Sequence, residues 1–377
     1  MTEVVVFKEI ATACGRRFGI ATLNAPAALN ALSLAMVDRL QPQLSAWAAD
    51  AGIVGVLLDG AGDKAGDKAF CAGGDLVELY QSLLQYRTEP NPYAQAFFER
   101  EYRLDHLIHS YPKPFAVWGH GIVMGGGIGL MMGASHRVVT PKSRLAMPEI
   151  SIGLYPDVGG SWLLRRVPGR VGLFLALTGA SINAADALHA GMADLLAPHE
   201  AKPALLEAVA ATRWHGDARD AAQLTHLIEG LRGDALLPAS NLLRHADEIR
   251  RLMGHDGLRD IDTRMRAVGV DGRVDDPWLS AAVASFRAGS PTSAALSFAL
   301  WQRVVNLSLA DVFRLEFNAS LGCCAQHDFA EGIRALLIDK DRTPRWQPPT
   351  LDEVNEALID AHLQPRHVGH HPLSDLL

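Results

Sequence analysis

Two carboxylates stand in one apolar stretch of the chain, AMPEISIGLYPDVGG, residues 146–160. They are Glu149 and Asp157, eight residues apart, each directly after a proline, and the second runs into a Gly-Gly pair. Burying a carboxylate among apolar side chains is costly unless it is paired or chemically employed. Two acids confined together hold different pKa values, so one stays charged while the other serves as an acid. Such a pair can supply a nucleophile or general base and manage the accompanying proton. The plainer alternative is that both acids cap turns or pair with Arg165 and Arg166, just downstream.

Two glycine clusters could complete that chemistry, FCAGGDL at 70–76 and GHGIVMGGGIGL at 119–130. Each follows a strand-like run and leads into a helix-like one. Glycine lets the backbone approach a ligand closely, and two N–H groups aimed at one oxygen stabilise a developing oxyanion. Losing one such donor costs about 3 kcal/mol of barrier. The alternative is that the glycines serve only tight turns and close packing. For Asp75 that is the favoured reading: DLVE puts it at a helix N-cap with Glu78 three residues on, as in a capping box. Nowhere do these glycines give G-x-G-x-x-G, and neither a P-loop nor a G-x-S-x-G elbow occurs, which disfavours dinucleotide, nucleoside triphosphate and serine hydrolase sites.

The elements that must position these residues are legible to residue 200 as short β-like runs alternating with helical ones. FGIATLN and GIVGVLLDG read as strands, with SLAMVDRLQPQLSAWAAD between them as a helix. PFAVWGHG, HRVVTP and RLAMP continue the pattern, which indicates a mainly parallel α/β architecture. Beyond residue 200, KPALLEAVAATRW, DAAQLTHLIEGLR, ASNLLRHADEIRRLM, PTSAALSFALWQRVV and LADVFRLEFNASLGCCAQ all have helical periodicity. AGDKAGDKAF, with its tandem AGDK, reads as an exposed hairpin loop. The final RHVGHHPLSDLL reads as a loosely ordered tail, whose three histidines are better taken as solvated than as metal ligands.

Composition bounds the rest. The 377 residues are 49% hydrophobic and 20% charged, with a formal net charge of −7, so nothing indicates a nucleic-acid surface. Cys14, Cys71, Cys323 and Cys324 form neither a CxxC pair nor a spaced framework, which fits a reducing compartment and speaks against structural zinc. MTEVVVFKEI reads as a first strand and not as a signal peptide. The most apolar window, GIVMGGGIGLMMGA, is too short and too glycine-rich to span a bilayer. The expectation is a soluble, cytoplasmic protein without a membrane partner.

TLNAPAALNALSLAMV, AFCAGGDL, HGIVMGGGIGL and MPEISIGLYPDVGGSWLLRRVPG together resemble the enoyl-CoA hydratase/isomerase (crotonase) superfamily. Within it, MPE with GLYPDVGG, FFEREYRL, SPTS and HDFAEGIRALLIDKDRTPRW look like the 3-hydroxyisobutyryl-CoA hydrolases, in matching order from about residue 15 to 350. The resemblance implies an α/β crotonase fold of repeated ββα units with a mostly helical C-terminal region. It implies an acyl-CoA-binding catalytic core over 1–200, a helical region over 201–365 and the tail over 366–377. It puts the oxyanion hole on the N–H groups of Gly74 and Gly126, the catalytic acids at Glu149 and Asp157, and a substrate-site residue at Glu101. Glu101, in FFEREYRLDHL, also fits a solvated helix face. Hydratases of the superfamily carry a second catalytic Glu where this chain has Gly129, which leaves thioester hydrolysis as the leading reaction and hydration or isomerisation as the alternative. A non-catalytic acyl-CoA-binding protein is the remaining reading. Ala25 departs from the family's usual Arg. The partner implied is an acyl-CoA substrate, with coenzyme A part of the substrate, no separate cofactor and no metal needed; a homo-oligomer is left open by relatives that form trimers and hexamers.

Overall fold

The computed structural model describes residues 3–62, 67–86, 90–269, 276–367 and 369–377. The AGDK repeat falls outside the described residues at 63–66. Among the described residues ten strands occur in chain order: β1 Val5–Ala11, β2 Arg17–Leu23, β3 Ile53–Gly60, β4 Ala69–Cys71, β5 Phe115–Gly119, β6 Ile122–Met124, β7 His136–Val139, β8 Arg144–Ala146, β9 Ile182–Asn183 and β10 Leu195–Leu196. Beyond Lys202 the described residues form only helices and their connections.

Two compact units each collect three stretches of chain. The first comprises Met1–Gly74, Arg103–Leu145 and Ile182–Ser240. Its larger sheet has the order β1-β2-β3-β5-β7-β10, antiparallel only between β1 and β2. β3, IVGVLLDG, is buried at all eight positions, as an interior parallel strand covered on both faces must be. Helix Leu34–Ala49 starts where the Ser33 side chain accepts from the Met36 N–H, and buries Met36, Val37, Leu40, Leu44 and Trp47 at helical spacing. Leu205, Val209, Leu224 and Ile228, from helices Lys202–Ala211 and Arg219–Gly230, pack with Phe18, Ile20, Trp118 and Val138.

A smaller sheet of the same unit runs β4-β6-β8-β9. β4 and β6 are parallel, so the segments that follow them, the two glycine clusters, leave the sheet side by side. This pairing positions the candidate oxyanion donors.

The second unit comprises Asp75–Tyr102, Ala146–Ser181 and Asn241–Leu377. Asp75 does cap helix Leu76–Gln85, accepting from the Val77 N–H at 3.1 Å. The capping box is not completed; the Glu78 carboxylate accepts from the Tyr93 hydroxyl at 2.8 Å. The last residues, expected to lie loosely, are tied down. Arg314 donates to the carbonyls of Leu373 and Leu376 at 3.0 and 3.1 Å, and Leu373 is fully buried. A segment this short has no periodicity to reveal one buried anchor.

Candidate active site

The first unit contains the glycine geometry. Gly73 has φ +105°, a backbone state that L side chains rarely adopt, and its carbonyl accepts from the Leu32 N–H at 2.7 Å. Directly after β6, Gly125 has φ 46° and is the N-cap of helix Gly126–Met132. As the first residue of that helix, Gly126 has an N–H with no intrahelical acceptor. A Cβ on Gly127 would lie 2.5 Å from the carbonyl oxygen of Cys71, the last residue of β4. The close approach of β4 to this helix therefore requires glycine at 127. The candidate donors Gly74 and Gly126 sit at the ends of these two adjoining segments.

The second unit contains the acids. Glu149 opens the 3-10 turn Glu149–Ile152, and Gly153 ends it at φ 76°. A Cβ at Gly153 would meet the backbone of Asp328 at 2.3 Å, and one at Gly332 the backbone of Ile152 at 2.3 Å. Helix His327–Ile333 thus lies backbone against backbone on the Glu149 turn. Asp328 accepts from the Ser290 hydroxyl at 2.6 Å and the Gln347 N–H at 2.8 Å, while the Ser290 N–H donates to the Ile150 carbonyl at 3.0 Å. The SPTS and HDFAEG motifs accordingly serve to brace this turn.

The turn at Asp157 is held by a different helix. Val158, β-branched, stands at φ 53°, where such a residue is strained. Glu316 of helix Leu309–Ala325 clamps it by accepting from the Gly159 N–H at 2.7 Å and the Ser161 N–H at 3.0 Å. The Tyr102 hydroxyl donates to Asp157 Oδ2 at 2.9 Å, and Ser320 Oγ lies 2.8 Å from the phenol oxygens of both Tyr102 and Tyr155. Neither arginine takes up the acids: the Arg165 guanidinium lies over the Trp301 ring and that of Arg166 over the Trp162 ring. Among the described residues neither acid forms an ion pair with these arginines.

Glu101, Glu149, Asp157 and Glu316 are all buried. Burial pushes Glu149 well above the usual carboxylate range, and the neighbouring Asp157 charge pushes the same way. Glu101 is raised well above its ordinary value too, by burial and then by Asp157, so it belongs with this cluster and not with a solvated helix face. Asp157 is pushed up to about 7 by burial, with the Tyr102 hydroxyl and backbone hydrogen bonding pulling it back down. Glu316 is pushed up to about 8 by burial although two amides oppose the shift. Four such acids cannot all ionise together; the Tyr102 hydroxyl is aimed at Asp157 and two amides at Glu316, and Asp157, at about 7 against about 8 for Glu316, ionises first of these two. Glu149 Oε2 is buried without a hydrogen-bond partner, leaving it available to a bound reactant.

Glu316 and Ser320 carry no motif, and Tyr102, although it lies in FFEREYRL directly after Glu101, is not among the site residues read from the sequence. The signal for Glu316 was present: it interrupts the buried positions Val312, Phe313, Phe317 and Ser320 at helical spacing, where an acid needs a reason.

Replacing Tyr102 by Phe removes the donor that favours the Asp157 anion. The rising limb of kcat/KM against pH, which reports the coupled acids together, should therefore move to higher pH. An unmoved limb would reduce Tyr102 to packing.

A model of the family described as enoyl-CoA hydratase/isomerase matches residues 18–363. The chain is 35% identical over 359 residues to the mitochondrial 3-hydroxyisobutyryl-CoA hydrolase of Danio rerio, covering 94% of this chain and 88% of the relative. It is 33% identical to the Homo sapiens protein of that name, over 92% and 86% of the two chains. Among solved structures, a Mycobacterium thermoresistibile protein described as a carnitinyl-CoA dehydratase superposes with a TM-score of 0.83 at 35% identity, over 97% of each chain. A Rhodobacter sphaeroides protein described as an enoyl-CoA hydratase gives 0.80 at 35%, over 96% of this chain and 97% of that one. None of the described helices is long and apolar enough to cross a membrane.

Proposed function

Because the chain belongs to the enoyl-CoA hydratase/isomerase family, we propose that it is an acyl-CoA thioester hydrolase whose substrate is 3-hydroxyisobutyryl-CoA. The observation that carries this reading is the buried pair Glu149 and Asp157 in a chain with glycine at 129. Water addition to a double bond in this family relies on two glutamates, and one of them is missing here. The names of the curated relatives point to the same substrate, and so to a step of valine breakdown.

In the proposed reaction the amides of Gly74 and Gly126 receive the thioester oxygen as it gains charge. Such donors act on the transition state, because the charge they meet is absent from the ground state. Glu149 then either attacks the carbonyl carbon, forming an acyl anhydride that water opens, or takes a proton from a water that attacks in its place. Asp157 orients the substrate hydroxyl or the water and exchanges the proton. The carbon–sulfur bond breaks, and the CoA thiolate leaves with a proton. Glu101 lies near enough to Asp157 to feel its charge, which supports a part in holding the acyl group.

The test is release of free thiol from 3-hydroxyisobutyryl-CoA by wild type and by Asp157→Asn. Release that falls by roughly 100-fold or more in the variant, with acyl-CoA still bound, is expected of a lost acid or base. Near-normal turnover in the variant would remove the role of Asp157. A second reading rests on the two solved structures whose descriptions name a dehydratase and a hydratase. Crotonyl-CoA hydration without thiol release would favour it, and acyl-CoA binding without either reaction would favour a binding protein.

Cytoplasmic placement remains our proposal, supported by four free cysteines. The relatives' names say mitochondrial, and the mitochondrial matrix is also reducing, so fractionation of tagged chain decides between them.

A further inference from the structure

In the first unit, a second group of chemically able side chains lies at the opposite ends of β4 and β6 from Gly74 and Gly126. Asp67 stands two residues before β4, His120 two residues before β6, and His199 opens a short 3-10 turn after β10. One ligand atom from each of the three lies within 4.8 Å of the others. The backbone fixes the first two relative to each other. The Phe70 N–H donates to the His120 carbonyl at 2.9 Å, and the Ile122 N–H donates to the Lys68 carbonyl at 3.0 Å. Gly121, at φ +58°, lets these segments touch, since a Cβ there would lie 2.1 Å from the Lys68 carbonyl oxygen.

His120 is the telling member. It is 1% exposed, its Nδ1 lies 3.4 Å from the Trp118 carbonyl, and its Nε2 has no hydrogen-bond partner. A carbonyl only accepts, so the ring proton is on Nδ1 and Nε2 presents a buried lone pair. A backbone carbonyl on the remote nitrogen is also how metal-binding histidines are held in register. The three residues line a cavity of about 660 Å³, together with Thr140, Lys142 and Glu200 among others.

We propose that Asp67, His120 and His199 form a binding site for a divalent d-block cation of the zinc type, with its fourth position open to the cavity. Two imidazoles and one carboxylate suit such an ion and not magnesium or calcium, which prefer all-oxygen shells. Three protein ligands with one open position match zinc sites that hold a water or a ligand. Tetrahedral bonding places ligand atoms about 3.3 Å apart, so the widest pairs must close while the Asp67–His199 contact, now 2.5 Å, must open.

The proton balance gives the site a signature. In the structure His199 Nδ1 accepts from the Trp118 indole N–H at 3.3 Å, so its proton sits on Nε2 and is shared with Asp67. Metal on Nε2 moves that proton to Nδ1, and the indole loses its acceptor. Binding therefore costs one part-buried hydrogen bond and alters the environment of Trp118.

The experiment titrates the full-length protein, stripped with EDTA, with Co²⁺ and then Zn²⁺. Expected are tetrahedral Co²⁺ absorption bands, a higher Tm with Zn²⁺, and an emission change that Trp118→Phe abolishes. Asp67→Asn should weaken binding by at least about 10-fold, the low end of the loss from removing even an outer partner, and His120→Ala should abolish the bands. Asp67 is partly exposed, so its variant tests the site even if His120→Ala fails to fold, and thiol release by Asp67→Asn should stay at the wild-type rate. No binding at millimolar metal would overturn the proposal. So would binding that survives Asp67→Asn but disappears when His370 and His371 of the chain terminus are both replaced by alanine.

Discussion

Glu149→Gln is expected to lower kcat by roughly 100- to 10,000-fold, the range for loss of a positioned acid–base group, while acyl-CoA affinity changes little. Glutamine keeps the volume and the hydrogen-bonding shape of the side chain. It cannot attack a carbonyl as an oxygen nucleophile, nor can it take up a proton near neutral pH. Binding energy from the CoA portion is untouched, so the loss belongs in turnover and not in KM. Thiol release under saturating substrate, beside calorimetric binding of the same acyl-CoA, checks both halves. Turnover within a few-fold of wild type would remove Glu149 from the chemistry.

The same variant should be more stable than wild type at alkaline pH. Burial and Asp157 raise the Glu149 pKa in the folded protein above its usual 4.5. A carboxyl raised on folding contributes its stability fully below the unfolded pKa, and that contribution is lost as pH rises through the folded one. The Tm of Glu149→Gln should match wild type near pH 4 and exceed it increasingly above pH 4.5. Such a gain on removing a working residue is the usual trade between stability and function.

The second large effect is expected at a residue with no reactive side chain. Gly127→Ala would put a Cβ 2.5 Å from the Cys71 carbonyl oxygen and 2.9 Å from the Cys71 Cβ. Backbone cannot swing aside as the tip of a long side chain can, so β4 and helix Gly126–Met132 must separate. Gly74 and Gly126 follow from these two segments, and a misplaced oxyanion donor costs about 100- to 1,000-fold in kcat. Gly230→Ala is the control, with open space at its Cβ and ordinary helical φ, and should leave turnover unchanged. If Gly127→Ala keeps wild-type kcat with an intact fold, the two amides do not form the oxyanion hole.

Much of this protein was legible in its residues because the relevant physics is local. The strands show as short β-like runs, the helices as apolar positions three and four apart, and many of the turns as glycines, which adopt positive φ without strain, as at Gly73 and Gly153. Order along the chain was enough to place Glu149 and Asp157 within a single rigid turn region and to recognise the family.

Tertiary structure decided what depends on distant partners. Glu316 stands 155 residues beyond Ser161, yet it holds the turn that carries Asp157. Ser290 and Asp328 brace the turn at Glu149 in the same way, and Tyr102 reaches Asp157 across 55 residues. Periodicity can report that such a polar side chain faces a core, but not which group it meets there. Burial and the partners brought to each acid set their pKa values, so the sequence determined which acids are present, and the packing decided which one of them is poised to ionise.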